Sequence, residues 1–338
     1  MAKVSVQIVT WNSMRYIFDC MESLMRQSFR DFSILVIDNG SDDETVDFIR
    51  SNYPTVSILQ NFRNLGFAKA NNQGILIAKS EYVLVMNADV VLTENFLEKI
   101  VEFADRQPQG AAFGGKILKF STEAIDSNDQ SMRETIKSNI IDSTGLKIFK
   151  SRRVVDRGEG EIDSGQYDKT EEVFGVTGAC VLYRKSALDD VSINHEFFDQ
   201  DFVAYKEDID LSWRLRLYGF TCWYNYQAVC FHHRGFYQSK LSQVIKERKK
   251  ISKILRIYSL RNHHLMLVKN DDLINLFLAS PWFLSRDFII TFGALIFEPF
   301  QWSGLVKFFK LLPRTWSKRQ IIMRHRKITA NQIRSWFN

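Results

Sequence analysis

The sequence predicts an α/β fold in which helices flank a mostly parallel β-sheet, followed by a helical C-terminal region. Short apolar runs alternate with amphipathic segments through the first third of the chain. The runs at 32–38 and 82–86 are almost continuously apolar, which is typical of strands buried on both faces of a parallel sheet. From Leu241 onward the pattern is helical, and it changes from basic to apolar and aromatic and back to basic.

The elements of the first half follow one another as strand and helix. Strands are predicted at 4–10, 32–38, 56–60 and 82–86. Helices are predicted at 13–28, from Asp42 or Asp43 to about 52, from about 68 to 78, and from Thr93, which is a good N-cap residue. After an ordered segment at 173–184, we expect a helix at 207–219 and a last strand at 221–231. This order implies parallel strands joined by right-handed crossovers.

Composition divides the chain into an α/β domain at 1–239 and a basic, apolar helical region at 240–338. Within the first, residues 120–170 are polar and predict a variable loop or small hairpin that acts as a flap. The net charge of +6 combines 26 Lys and Arg against 34 Asp and Glu in residues 1–239 with 19 against 5 in residues 240–338. A basic tail suits a membrane surface or a nucleic acid.

Several features bear on where the protein works. The four cysteines form no C-x-x-C pair and lie among apolar neighbours, which favours buried, reduced thiols and a cytoplasmic location. Residues 1–10 already predict a strand, so no signal peptide is expected. The apolar segment 273–300 is interrupted by Pro281 and by Arg286 and Asp287, and its uncharged runs are shorter than the roughly 20 residues of a membrane span. A position in the membrane interface remains open.

Acidic residues occur where an α/β sheet binds ligands. Asp89 follows the strand at 82–86, and the carboxyl end of a strand is the edge at which such sheets hold their ligands. A carboxylate there is either solvated or holds a divalent cation against a diphosphate. Glu207 and Asp208 open a predicted helix, where they either stabilise its first turn or supply a general base.

Polar residues and glycines in four further segments have either a structural or a ligand-binding role. Asp38 ends a strand before an Asn-Gly turn and could bind a base or ribose. Asn64 and Gly66 precede a helix whose N-terminus could bind phosphate. Gly178 either allows tight packing or lets a sugar approach the backbone. His232, with His233 beside it, is either structural or adds an imidazole to a metal or diphosphate.

Taken together, these segments resemble the family 2 glycosyltransferases of the GT-A fold, and within them the rhamnosyltransferase-like branch. The matching segments occur in the family's order at 6–12, 36–41, 64–68, 87–89, 176–179, 207–211 and 232–235. The resemblance implies a nucleotide-binding, Rossmann-like sheet. It also implies an inverting transfer of a sugar from a nucleotide diphosphate, dTDP-rhamnose or a UDP-sugar, to a hydroxyl in cell-surface glycan synthesis.

The resemblance implies a role for each of the matching residues. The catalytic base would be Asp208, with Glu207 as the less favoured candidate. Asp89 and His232 would hold Mg²⁺ or Mn²⁺, and Asn87 stands where the family's motif has its first aspartate. The residues expected to bind the nucleotide sugar are Thr10, Asn12, Asp38, Asn64, Gly66, Asn71, Asn87 and Gly178.

The implied partners are a nucleotide-sugar donor and a glycan or lipid-linked acceptor. The protein is expected to bind an anionic membrane surface from the cytoplasmic side, where it would meet the acceptor. The alternative for the apolar segment is that it covers the catalytic domain or forms a homodimer through the C-terminal helices. Two other functions rank lower. A nucleotidyltransferase needs a basic residue in a glycine-rich loop, and residues 9–13 contain no glycine. A non-catalytic polyanion-binding protein needs no acidic strand ends, and no nucleic-acid partner is expected.

Overall fold

The computed structural model describes residues 1–124, 133–233, 252–278 and 280–337. Its strands are β1 (Val4–Thr10), β2 (Phe32–Asp38), β3 (Ser57–Gln60), β4 (Tyr82–Asn87), β5 (Val90–Leu92), β6 (Gly110–Ala124), β7 (Arg133–Ser143), β8 (Leu146–Ile148), β9 (Val154–Asp156), β10 (Glu171–Val173), β11 (Cys180–Arg184) and β12 (Thr221–His233). Its helices are α1 (Met14–Met25), α2 (Thr45–Asn52), α3 (Phe67–Ile77), α4 (Phe96–Asp105), α5 (Lys185–Val191), α6 (Glu207–Leu217), α7 (Lys253–Asn270), α8 (Leu273–Leu278), α9 (Ser280–Phe297), α10 (Trp302–His325) and α11 (Ala330–Arg334). The predicted boundary at 239 and the basic cluster at 246–250 lie outside the described residues.

Ten strands of the described chain form one sheet, whose path runs β10-β12-β6-β11-β4-β1-β2-β3 with β5 and β7 at its side. The β4-β1-β2-β3 part is parallel throughout, as the alternation of strands and helices predicts. Beyond β4, strand β11 is antiparallel to both of its neighbours, and β12 then pairs in parallel with β6. The α/β class with a C-terminal helical region is therefore confirmed.

Apolar clusters cover both faces of the sheet. One cluster contains residues of α1, α2 and α4, among them Ile17, Leu24, Ile49, Leu97 and Ile100. The other contains residues of α3, α5 and α6 together with the C-terminal helices, among them Ile75, Leu188, Leu211, Leu265, Met266, Ile322 and Ile333. The C-terminal helices α7, α10 and α11 therefore pack into the same core as α6.

Thr93 does not cap a helix as the sequence predicts. Residues 90–92 form β5, which pairs with the end of β12, and the helix that follows starts at Phe96 after Asn95. The Thr93 hydroxyl donates a hydrogen bond to the Val229 carbonyl oxygen at 2.7 Å. Because its hydroxyl makes this hydrogen bond across the sheet, Thr93 does not cap the helix as local sequence rules predict.

Residues 120–170 contain more regular structure than their polar composition indicates. The end of β6 pairs with β7 as an antiparallel hairpin, and β8 pairs with β9. The segment buries Ile141, Asp142 and Arg152 almost completely. The Arg152 side chain lies 2.7 Å from Asp271, which follows α7, so this segment is joined to the C-terminal helices by a buried ion pair.

Strand β12 is unusually long, at 13 residues, and its pairing with β6 is shifted between Asn225 and Val229. Residues 226–228 lie outside the ladder as a bulge. After the bulge, β12 continues between β5 and β6, with His232 opposite Val90.

Candidate active site

Three strands end together at one edge of the sheet. Thr10 at the end of β1 is in register with Asp38 at the end of β2, and Val9 is in register with Asn87 at the end of β4. Because parallel strands present their carboxyl ends on the same side, the polar residues after β1, β2 and β4 meet there. The parallel pairing therefore brings the predicted nucleotide and metal residues to a common edge.

The Asp38 carboxylate is buried and is engaged by its own turn. It accepts hydrogen bonds from the hydroxyls of Thr10 at 3.2 Å and Ser41 at 2.5 Å, and from the backbone N–H groups of Gly40 and Ser41. Gly40 has φ +76°, and a Cβ there would lie 2.8 Å from the Arg63 backbone. The geometry explains why Asn-Gly follows this strand, and a contact of Asp38 with a nucleotide stays a prediction.

The other predicted nucleotide residues stabilise the surrounding loops. Asn12 accepts a hydrogen bond from the Asp42 N–H at 2.9 Å, and Asn64 accepts one from the Gly66 N–H at 2.8 Å. The Asn71 amide donates to the Phe67 carbonyl, while its buried oxygen has no hydrogen-bond partner in the described part of the chain. That buried oxygen is the feature of these loops that fits a ligand.

A cavity of about 370 Å³ lies beside this edge. Five predicted site residues line it, namely Asn87, Gly178, Glu207, Asp208 and His232. The sequence did not identify the rest of its lining, which includes residues 154–156 of the predicted flap, residues 204–206 before α6, and Ser259 of α7. The other predicted site residues, Thr10, Asn12, Asp38, Asn64, Gly66, Asn71 and Asp89, are not part of this lining.

Glu207 and Asp208 lie at the start of α6 in different environments. The Asp208 carboxylate is partly exposed, and it accepts a hydrogen bond from the Gly178 N–H at 3.0 Å. Glu207 is 9% exposed, and one of its oxygens is buried without a hydrogen-bond partner among the described residues. Burial, and then the charge of Asp208, raise the pKa of the Glu207 carboxyl to about 8. Glu207 is therefore largely protonated at neutral pH, and the two neighbouring carboxyl groups differ in burial and in hydrogen bonding.

Gly178 has a definite role in this arrangement. Its backbone N–H orients the Asp208 carboxylate, and a Cβ on Gly178 would lie 3.2 Å from the Asp208 Cβ. This contact is tighter than ordinary van der Waals packing, so a side chain at residue 178 would press directly on Asp208.

Asp89 and His232 are brought together by the pairing of β5 with β12. The His232 Nε2 lies 3.3 Å from Asp89 Oδ1, and its Nδ1 lies 2.8 Å from the buried carboxylate of Asp142. Burial lowers the pKa of the His232 imidazole, but its hydrogen bond to Asp142 and the adjacent Asp89 carboxylate outweigh that effect and raise the pKa to about 9. Asp142, on β7, thus fixes which nitrogen of His232 faces Asp89.

His233 lies in a different environment from His232. Its ring is 4.7 Å from the Tyr16 ring and 5.4 Å from the Phe120 ring, centroid to centroid. Burial, followed by the charge of Arg15, lowers the pKa of this imidazole. The cavity lining contains His232 and not His233, which favours His232 between the two candidates.

The donor set around Asp89 can be tested against the needs of a divalent cation. The described residues contain no group of three or more His, Cys, Asp or Glu side chains arranged to hold a metal ion. The Asp89 side chain is 30% exposed, and its Oδ1 is buried beside His232. One carboxylate, with a neighbouring imidazole and open access, fits the binding mode in which Mg²⁺ or Mn²⁺ takes its remaining ligands from substrate phosphates and water.

Solved structures with the same fold are glycosyltransferases. GalNAc-T7, solved with UDP, GalNAc and Mn²⁺, aligns with a TM-score of 0.61 at 12% identity over 93% of this chain and 56% of that one. Staphylococcus aureus TarS 1-349, solved in complex with UDP-GlcNAc, aligns with a TM-score of 0.52 at 17% identity over 99% and 90%. At such identities the likeness shows the fold, which is the GT-A fold that the sequence resemblance implies.

Residues 5–192 match the family model described as Glycosyl transferase family 2. Because this match covers more than half of the chain, the protein belongs to glycosyl transferase family 2 and is a glycosyltransferase that uses nucleotide sugars. The predicted family is thereby confirmed.

Curated relatives support the branch that the sequence indicates. An N-acetylglucosaminyl-diphospho-decaprenol L-rhamnosyltransferase from Mycobacterium tuberculosis is 25% identical over 241 residues, which are 68% of this chain and 76% of the relative. A poly-beta-1,6-N-acetyl-D-glucosamine synthase from Staphylococcus epidermidis is 25% identical over 68% of this chain and 49% of its own length. Glycosyltransferase GlyG of Streptococcus pneumoniae is 27% identical over 114 residues, and the chain spans 38% of it.

Proposed function

We propose that this enzyme transfers a sugar with inversion from a nucleotide diphosphate to an acceptor hydroxyl. One observation carries the proposal: Asp208 lines the same cavity as Asn87 and His232, and His232 contacts Asp89. The proposed base and the imidazole beside Asp89 therefore line one cavity, although Asp89 itself is not part of the lining, and a single displacement needs these groups close together.

In the proposed reaction, Asp208 accepts the proton of the acceptor hydroxyl. The freed oxygen forms a bond to the anomeric carbon while the bond from that carbon to the diphosphate oxygen breaks, and the nucleoside diphosphate leaves with the electron pair. The Gly178 N–H keeps the Asp208 carboxylate in place before it takes the proton. Glu207, which burial keeps protonated at neutral pH, adds no second charge beside it.

The residues that would hold Mg²⁺ or Mn²⁺ are Asp89 and His232, with Asp142 orienting His232. Because the pKa of His232 is raised to about 9, its imidazole would have to lose the Nε2 proton in order to bind the cation. When bound, such a cation supplies electrostatic stabilisation of the departing diphosphate. The GalNAc-T7 structure that shares this fold contains UDP and Mn²⁺.

For the donor, we infer dTDP-rhamnose or a UDP-sugar, and for the acceptor a lipid-linked or polysaccharide glycan. The names of the relatives support both: one is a rhamnosyltransferase for a diphospho-decaprenol-linked sugar, and another is a polysaccharide synthase.

A donor screen tests the proposed function. We expect dTDP-rhamnose or one UDP-sugar, with Mn²⁺ present, to raise the melting temperature and to be slowly hydrolysed with release of the nucleoside diphosphate. Stabilisation and turnover should select the same donor, and NMR of the first-formed product should show an inverted anomeric centre. Retention of configuration, or no response to any nucleotide sugar, would contradict the proposal.

The C-terminal helices present an exposed apolar face, which we define as the exposed apolar side chains between 273 and 316. Its members, all at least 37% exposed, are Leu273, Ile274, Phe277, Leu278, Phe288, Ile289, Ile290, Phe292, Ile296, Phe297, Trp302, Val306, Phe309 and Trp316. On α10, Trp302, Val306, Phe309 and Trp316 share one side of the helix by their spacing, and Lys307 and Lys310 are exposed next to them. So many exposed large apolar side chains within one part of the chain are uncommon on a protein that works alone in water.

We infer that this apolar face binds an anionic membrane, where a lipid-linked acceptor would be found. Residues 273–338 contain ten Lys and Arg against two Asp and Glu. Several of these basic residues are exposed, namely Lys307, Lys310, Arg324 and Lys327. Basic residues near an anionic surface contribute about 1 kcal/mol each. The four cysteines are buried thiols, which supports a place on the cytoplasmic side of that membrane.

Among the described helices, none alone is long and apolar enough to cross a membrane. The segments 288–297 and 299–325 reach that length and apolar character only when they are taken together, and the chain bends by 113° between them.

Binding to vesicles tests the membrane proposal. We expect the full chain to float with phosphatidylglycerol vesicles, and F288S/F292S to bind at least tenfold more weakly, because Phe288 and Phe292 stack 5.2 Å apart on the apolar face. The matched control L76S/I77S, which changes two exposed apolar residues of α3, should bind like the unchanged protein. A stable dimer that F288S/F292S dissociates, without any lipid binding, would assign the face to a second copy of the chain instead.

A further inference from the structure

The segment that leads into α6 is held in an unfavourable backbone conformation. Tyr205 and Lys206 both have positive φ, at 69° and 75°, although neither is glycine. Residues other than glycine adopt such angles only where the surrounding structure imposes them. These residues line the cavity and come directly before Glu207 and Asp208. Whatever imposes this conformation therefore also sets where the catalytic carboxylate stands.

The contacts that impose it come from α7. The side-chain amide of Asn262 donates two hydrogen bonds, to the carbonyl oxygens of Ala204 at 2.9 Å and Tyr205 at 2.8 Å. Arg261 donates to the Asn262 side-chain oxygen at 2.8 and 3.0 Å, which fixes the orientation of that amide. It also donates to the Asp201 carbonyl oxygen at 2.6 Å.

Both side chains are committed to this task. Asn262 is completely buried and Arg261 is 6% exposed, so neither amide nor guanidinium exchanges these partners for bulk water. The three carbonyl groups that they hold belong to one loop of six residues, 201–206. We call Arg261 and Asn262 the clamp, and residues 201–206 the clamped loop.

A buried ionic cluster anchors the ends of the clamped loop to the same helices. Lys269 of α7 and Lys318 of α10 both contact Asp199, just before the loop, and Lys318 also lies 2.9 Å from Asp201. After the loop, Lys269 lies 2.8 Å from Asp210 of α6. Burial opposes ionisation of Asp199, but the two lysines outweigh it and hold the pKa of this carboxyl well below its usual range.

We propose that Arg261 and Asn262 are positioning residues for the glycosyl transfer, holding the clamped loop so that Asp208 meets the Gly178 N–H and faces the cavity. The expected change in kcat rests on the proposed function. The inference goes beyond that function because it gives α7 a part in positioning the catalytic residue. Neither residue lines the cavity itself, whereas Ser259, one turn earlier on α7, does.

The test compares N262D with a matched control, N275D. Asn275 is also a buried asparagine of the C-terminal helices, and its amide donates to the Ala330 carbonyl at 2.7 Å, far along the chain from the clamped loop. Both substitutions keep the shape of the side chain and remove an amide donor, but only N262D releases the clamped loop.

We expect kcat of N262D to fall tenfold to hundredfold, with the affinity for the nucleoside diphosphate within twofold of the unchanged protein. Hydrogen exchange should become faster in two places, at the amides of 201–209 and at Gly178, whose N–H is bound to Asp208. N275D should show neither change. Slower turnover without faster exchange at Gly178, or equal losses in both variants, would overturn the proposal.

If N262D does not fold, R261M provides the same comparison, because methionine retains an unbranched side chain but cannot orient Asn262. The exchange measurement needs no substrate. If no nucleotide sugar is turned over by the unchanged protein, the proposed function fails, while faster exchange at Gly178 in N262D or R261M would still support the clamp. Unchanged exchange in both variants would overturn it.

Discussion

Replacing Asp208 with asparagine is expected to lower kcat by about 10²–10⁴-fold, the usual contribution of a general base. Asparagine keeps the size of the side chain and can still accept the Gly178 hydrogen bond, but it cannot take the acceptor proton. Donor binding should persist, because Asp208 is separated from the strand ends at Thr10 and Asp38. Initial rates of nucleoside diphosphate release, together with calorimetric titration of UDP, measure the two quantities separately.

Glu207, next to Asp208, provides the control for the D208N variant. In E207Q the glutamine resembles the protonated form that Glu207 has at neutral pH, so E207Q should lose less activity than D208N. The opposite order, with D208N active and E207Q nearly inactive, would transfer the role of the base to Glu207.

Replacing Asp89 with asparagine is expected to abolish the stabilisation and activation by Mn²⁺ and to lower activity by roughly a hundredfold or more. The reason is that Asp89 is the one carboxylate ligand in the proposed metal site. UDP alone should still bind. The increase in melting temperature produced by Mn²⁺ in the presence of UDP should disappear, and this readout does not depend on turnover.

D31N, which changes an exposed carboxylate at the start of β2, is the control and should respond to Mn²⁺ as the unchanged protein does. Full activity of the unchanged protein in EDTA would refute the metal assignment, as would an undiminished Mn²⁺ response in D89N.

The parallel half of the sheet could be predicted because local and global signals agree there. Strands such as β2 and β4 are nearly continuous apolar runs, and each is followed by a helix, so position and direction both follow from the pattern. The register that places Thr10 beside Asp38 then follows from strands that begin and end together.

The sequence was less informative where a residue's partner is distant. Asp142 lies in a polar segment with weak periodicity, and its role became visible only when β7 paired with β6 and set it 2.8 Å from His232. Asn262 is one polar residue in a basic, apolar helix, and nothing local connects it to carbonyl groups 57 and 58 residues earlier. Threonine is a common helix N-cap residue, but the Thr93 hydroxyl instead donates a hydrogen bond to the distant Val229 carbonyl.

Which imidazole faces Asp89 depends on strand register. Alternate residues of a strand point to opposite faces, so gain or loss of one residue between 229 and 232 would present Phe231 or His233 in place of His232. The bulge at 226–228 separates this stretch from the first half of β12. An extra residue within the bulge should therefore leave His232 facing Asp89, whereas an extra residue in the four positions after it should turn His232 away.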